Sequence, residues 1–121
     1  MAHILILEDD VDFRTVVASA LVQNGHTVSQ AGNGRTGLAM IQRGSIDLVI
    51  TDVMMPEHDG LEVTMKLRQL PNAPPVIAMT GHPAEGEIYL RVAKSLGAQR
   101  VLAKPFTMEN LLNAIREVLP A

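Results

Sequence analysis

The sequence contains no cysteine and no tryptophan, and only three aromatic side chains: Phe13, Tyr89 and Phe106. The missing thiols exclude a disulfide scaffold, a Cys-ligated zinc site and a thiol nucleophile. With so few aromatics the core must be aliphatic, and the stacking platforms that hold single-stranded nucleic acid are missing. Basic residues are not in excess. Ten Lys and Arg face 13 Asp and Glu, for a formal net charge of −3, so no electrostatic grip on nucleic acid or on an anionic membrane is expected. No apolar run approaches the ~18 residues of a membrane span. The N-terminal MAHILILEDD has no basic flank and turns acidic at Glu8, unlike a secretory signal. A soluble, cytoplasmic protein is the expectation.

What is present suits one globular domain over residues 1–121, with 47% hydrophobic and 19% charged residues. Short aliphatic runs recur at HILIL (3–7), TVSQA (27–31), DLVIT (47–51), PVIAM (75–79) and RVLA (100–103). Helical patterns lie between them. Phe13, Val16, Val17, Ala20 and Leu21 share one face of a first helix, with Asp10 as its cap and Gly25 at its end. Leu38 and Ile41 mark a second, capped by Asn33 and stopped near Gly44. Val63, Leu67 and Leu70 mark a third, ended by Pro71. Ile88, Val92 and Leu96 mark a fourth, with Gly97 beyond it. Met108, Leu111, Leu112, Ile115 and Leu119 mark a fifth, capped by Thr107. Five strands alternating with five helices predict an α/β domain with a doubly wound parallel sheet. The strands are apolar on both faces, which predicts helices covering both sides. A Rossmann-like and a flavodoxin-like strand order are both compatible, and both place ligands beyond the carboxyl ends of the strands.

The polar residues of interest cluster at those ends. Glu8, Asp9 and Asp10 follow the first run, Asp52 the third, Thr80 and Gly81 the fourth, Lys104 and Pro105 the fifth. Each has an ordinary reading alone: Asp10 as a cap, Thr80 as a turn residue, Lys104 as a solvated charge. Together at one edge they suggest a site. Glu8, Asp9 and Asp52 would repel one another unless they raised their pKa values or recruited a cation. An oxygen-only donor set suits a hard ion, Mg²⁺ or Mn²⁺. Lys104 offers a positive charge, Thr80 a hydroxyl donor, and Gly81 an open backbone N–H. Asp52 is the exposed last step of its strand and the best candidate for a carboxylate nucleophile that accepts a phosphoryl group.

ILILEDD, ITDVMMPEHDG, IAMTG and LAKPFT resemble, in order and spacing, the receiver domain of two-component response regulators, in its chemotaxis-Y-like single-domain form. The resemblance covers essentially the whole chain and implies the flavodoxin-like order 2-1-3-4-5. It matches Asp52 with the phosphoacceptor and Glu8 and Asp9 with the acidic pair that binds Mg²⁺. It matches the backbone carbonyl of Met54 with a third protein ligand, Thr80 with the switch hydroxyl, and Lys104 with the lysine that pairs with the phosphoryl group. Pro105 matches a proline preceded by a cis peptide. The implied function is a phosphoacceptor signalling domain of a two-component system or phosphorelay, not a conventional enzyme. Its donor is a histidine kinase or histidine phosphotransfer protein. Its output is a protein bound at the face of the fourth helix, fifth strand and fifth helix, with no direct nucleic-acid contact and no output domain in the chain.

The sequence departs from the family at Val101, where an aromatic residue is usual. The familiar coupling of a threonine swing to a ring flip therefore has no ring here. His82, in the loop GHPAEGEIY, reads as a solvated histidine near the site. An aspartate-nucleophile phosphatase would need a second aspartate where Met54 stands. The remaining alternative is an interaction module of the same fold that works without phosphate.

Overall fold

In a computed structural model, residues 2–53, 60–81, 91, 94, 95 and 97–119 are described, Gly60 and Leu61 by backbone alone. Each aliphatic run forms a strand: β1 (His3–Leu7), β2 (Thr27–Ala31), β3 (Leu48–Asp52), β4 (Val76–Thr80) and β5 (Arg100–Ala103). The third and fourth begin and end one residue later than the runs suggest, so Asp52 and Thr80 are the last residues of their strands rather than the first residues after them. All pairings are parallel, in the order β2-β1-β3-β4-β5. This is the flavodoxin-like order, and it sets the ends of β1 and β3 side by side.

The four described helices are α1 (Val11–Gln23), α2 (Gly34–Gln42), α3 (Gly60–Leu67) and α4 (Met108–Val118). The last is the fifth helix of the sequence pattern. The fourth, marked by Ile88, Val92 and Leu96, falls outside the described residues, although Arg91, Lys94 and Ser95 within that stretch are helical. Three starts are fixed by side-chain caps that satisfy otherwise unpaired N–H groups. Asp10 accepts from the Phe13 N–H, Asn33 from that of Thr36, and Thr107 from that of Asn110. α3 ends at Leu67, before Leu70 and Pro71, which lie in the following turn.

Successive side chains of a strand point to opposite faces, and the core divides accordingly. Ile4 and Ile6 of β1 pack with Val17, Leu21, Leu111 and Ile115, under α1 and α4. Leu5 and Leu7 pack with Leu38, Ile41, Val63 and Leu67, under α2 and α3. Two expectations fail here. Val16 is 64% exposed, and the buried face of α1 runs through Val17, Ala18 and Leu21 instead. Only β1, β3 and β4 are covered on both faces. β2 and β5 are edge strands and remain partly exposed.

The amino-terminal edge of the sheet is tied off by the His3 ring, which bonds the Ser29 hydroxyl at 2.6 Å and the Ser45 carbonyl at 2.8 Å. The carboxyl edge carries Glu8, Asp9, Asp52 and Lys104. Among the described residues no helix is long and apolar enough to cross a membrane.

α2 approaches β1 closely because Gly37 has no side chain: a Cβ there would run into Leu7, 3.0 Å from its Cγ and Cδ1. Leu7 is fully buried and has little room to yield. Replacing Gly37 by Val is expected to cost about 1–3 kcal/mol of stability through overpacking, measured by urea unfolding. An unchanged midpoint would contradict the close approach.

Candidate functional site

The site is assembled by strand ends. Glu8 follows the last residue of β1, Asp52 ends β3, Thr80 ends β4, and Lys104 follows β5. Because β1 and β3 are neighbours, the carboxylates of Glu8, Asp9 and Asp52 converge, with donor oxygens within 4.8 Å of one another. Such a group could hold a metal ion. Glu8 and Asp52 are buried, at 1% and 7% exposure, and Asp9 is exposed. The expectation that Asp52 would be an exposed last step is therefore corrected: its carboxylate lies below the rim.

Lys104 makes that burial tolerable. Its ammonium donates to Asp52 Oδ2 at 2.9 Å and to Glu8 Oε1. β5 is separated from β3 by β4 and from β1 by two strands, so the lysine must span roughly 10 Å or more of sheet. The backbone shortens that reach. The Lys104 N–H donates to the Thr80 carbonyl at 2.6 Å, which brings the chain over the end of β4. Thr80, itself 2% exposed, is thereby fixed beside Lys104. Gly81 borders the lysine stem, where an added Cβ would lie 3.4 Å from Lys104 Cδ, in ordinary contact. The Lys104–Pro105 peptide is cis.

Burial pushes the Glu8 carboxyl up to about 7, and the nearby Asp9 and Asp52 carboxylates add to the rise. Hydrogen bonds from Lys104 and from the Asp10 N–H oppose it without cancelling it. Burial pulls the Lys104 ammonium down, but its bonds to Glu8 and Asp52 outweigh that, and its pKa lies above the ordinary lysine value. The lysine is thus a permanent cation between carboxylates that need one.

Two residues that strand-end reasoning does not single out support the cluster. Arg14 donates to the Glu8 carbonyl at 2.8 Å and to Gln30 Oε1 at 3.1 Å, anchoring the end of β1 to α1 and β2. The Phe13 ring lies 4.3 Å from the Lys104 ammonium. In the sequence Phe13 reads only as a helix-face residue. The available signal was the scarcity of aromatics, since Phe13 and Phe106 flank the acidic run and the lysine. Val101 pairs with Ala78 and packs, partly buried, into the cluster under α2 and α3. Met54, His82 and Tyr89 lie outside the described residues, as does the turn of residues 56–59.

Comparison with known proteins gives a consistent result. Residues 4–116 match the response regulator receiver domain. The transcriptional regulatory protein TcrA of Mycobacterium tuberculosis is 37% identical over 94% of this chain and 44% of its own length. The response regulator MprA of Mycolicibacterium vanbaalenii is 38% identical over 97% of this chain and 50% of its own. The chain thus spans about half the length of these curated relatives. Among solved structures, the chemotaxis response regulator CheY4 of Vibrio cholerae superposes with a TM-score of 0.86 at 32% identity, covering 98% of this chain and 99% of that one. A receiver domain protein from Clostridium thermocellum superposes at 0.88 with 29% identity, covering 98% and 94%.

The raised Glu8 pKa has a consequence for the metal-free protein. Between the ordinary glutamate value of 4.5 and about 7, the folded chain keeps a proton that the unfolded chain sheds. Glu8's contribution to stability is therefore complete below that window and lost as pH rises through about 7. Glu8→Gln keeps an oxygen for Lys104 and removes the titration. It is expected to flatten this part of the melting-temperature profile and to exceed the wild type at pH 8 by about 1 kcal/mol, or roughly 4 °C. Parallel profiles for the two proteins would contradict the shift.

Proposed function

The chain belongs to the response regulator receiver domain family, and on that premise we propose that Asp52 is its phosphoacceptor, charged by a phosphohistidine donor. It is a signalling domain of the two-component type. The observation that supports the assignment of Asp52 best is the Lys104 bridge, which joins a buried carboxylate at the end of a central strand to a second carboxylate beside it.

In the transfer an Asp52 carboxylate oxygen attacks phosphorus. The bond from phosphorus to the donor imidazole nitrogen breaks, and its electron pair returns to that nitrogen. The Lys104 ammonium, now on Asp52, is in place to donate to a phosphoryl oxygen. We assign the Thr80 hydroxyl as the second donor, turning toward the phosphoryl group as the family's switch residue does. Glu8, Asp9 and Asp52 suit a hard divalent cation by their all-oxygen chemistry, and we assign them, with the Met54 carbonyl, to Mg²⁺ or Mn²⁺. When bound, that ion supplies neutralisation of charge on the phosphoryl oxygens.

The domain is not a conventional enzyme in this reading. It acts on its own aspartate, becoming phosphorylated and losing the group again. Response regulator relatives imply a histidine kinase as partner, and a histidine phosphotransfer protein would serve the same chemistry. Output passes to a protein at the face of β5, α4 and the segment preceding β5, by a population shift that the phosphoryl group drives. Relatives such as TcrA are named transcriptional regulators. We propose that residues 1–121, with a net charge of −3, act as one cytoplasmic receiver domain that does not itself touch nucleic acid.

Incubation with acetyl phosphate and Mg²⁺ is expected to add one phosphoryl mass to the intact protein, and Asp52→Asn to abolish the gain. Equal labelling of the Asn variant would place the phosphoacceptor elsewhere.

A further inference from the structure

Phe13 has no assigned role in the phosphoryl transfer, yet its ring faces the residue on which the site depends. Lys104 Nζ is 4.3 Å from the ring centroid. Phe106, two residues after the lysine in sequence, meets Phe13 edge to face at 5.9 Å and 86°. Both rings pack into the cluster under α1 and α4. The Phe13 backbone is fixed as well, because its N–H donates to Asp10 Oδ1 at 3.1 Å. The Lys104 side chain is only 18% exposed, so the ring replaces water on that side of the ammonium.

We propose that Phe13 is a positioning residue for the phosphoryl chemistry, its ring face holding the Lys104 ammonium over the carboxylates while Phe106 sets the ring's angle. The inference rests on the assignment of Asp52 as phosphoacceptor. A lysine stem has four rotatable carbons, and holding it in one rotamer costs entropy at each use. Carboxylates hold the ammonium only while their lone pairs face it, and those lone pairs are redirected when Asp52 is phosphorylated. An aromatic face attracts the cation through its quadrupole and takes up no carboxylate oxygen. The attraction is therefore present both before and after transfer, and it is strongest where water is excluded.

The test compares rates of labelling by acetyl phosphate at saturating Mg²⁺. Phe13→Leu is expected to lower the rate about three- to tenfold, and Phe13→Tyr and Phe13→Trp to stay within about twofold of the wild type. The chain has only two phenylalanines, so replacing phenylalanine throughout by 3,4,5-trifluorophenylalanine alters Phe13 and Phe106 alone. That substitution keeps the ring and weakens its quadrupole, and it should slow labelling toward the Leu level. NMR reads the contact without phosphoryl chemistry. The Lys104 ε-methylene protons should be shifted upfield by the ring and should lose that shift in Phe13→Leu. A Leu variant labelled at the wild-type rate, or Tyr and Trp variants as slow as Leu, would overturn the proposal. A wild type that is not labelled at Asp52 would refute the phosphoacceptor assignment, and the NMR shift would then decide the ring contact separately: an ε-methylene shift unchanged by Phe13→Leu would overturn it.

Discussion

Carboxylates at the ends of adjacent buried strands cannot all be ionised without a cation beside them. Glu8 and Asp52 are in that position, and Lys104 is their cation. The rest of the site follows from meeting this requirement. The parallel order sets β1 against β3 and brings the acids together. The bond from the Lys104 N–H to the Thr80 carbonyl carries the lysine backbone across β4. Arg14 holds the Glu8 main chain. The balance is incomplete, since Glu8 still titrates near 7. One ammonium does not fully satisfy three acids, which leaves the cluster suited to a further cation.

Much of this was legible from residues alone, for local reasons. Asp10, Asn33 and Thr107 read as caps because a short polar side chain before an apolar period can reach an N–H three residues on. Glu8, Asp9, Asp52, Thr80 and Lys104 read as one edge because each sits at the end of an aliphatic run and parallel strands share a direction. The order that joins β1 to β3 came from the family resemblance, since the apolar runs fit two orders equally well.

What stayed hidden depends on tertiary choice. α1 carries valines at 11, 16, 17 and 22, around most of its circumference, so spacing alone could not show that Val17 is buried and Val16 exposed. The partial exposure of β2 and β5 comes from their places at the sheet edges, which strand composition does not encode. Phe13 looked like core because its hydrophobic role is real: it packs under α1 and α4 as expected. That its ring also meets Lys104 depends on two segments 91 residues apart in sequence. Val101 is the converse case. Its departure was plain in the sequence, and the structure gives it an aliphatic role against Ala78 and the α2–α3 cluster. Among the described residues, the aromatic contact to the site comes from α1 rather than from β5.

In the proposed function Asp52 carries the phosphoryl group and Lys104 receives its charge. The most direct measurement is a crystal structure of the protein with Mg²⁺ and beryllium trifluoride, a stable mimic of an aspartyl phosphate. The predicted result is density continuous with an Asp52 carboxylate oxygen, with Lys104 Nζ within hydrogen-bond distance of a fluoride. Density on Glu8 or Asp9 instead, or a lysine still bound only to carboxylates beside an occupied Asp52, would contradict it.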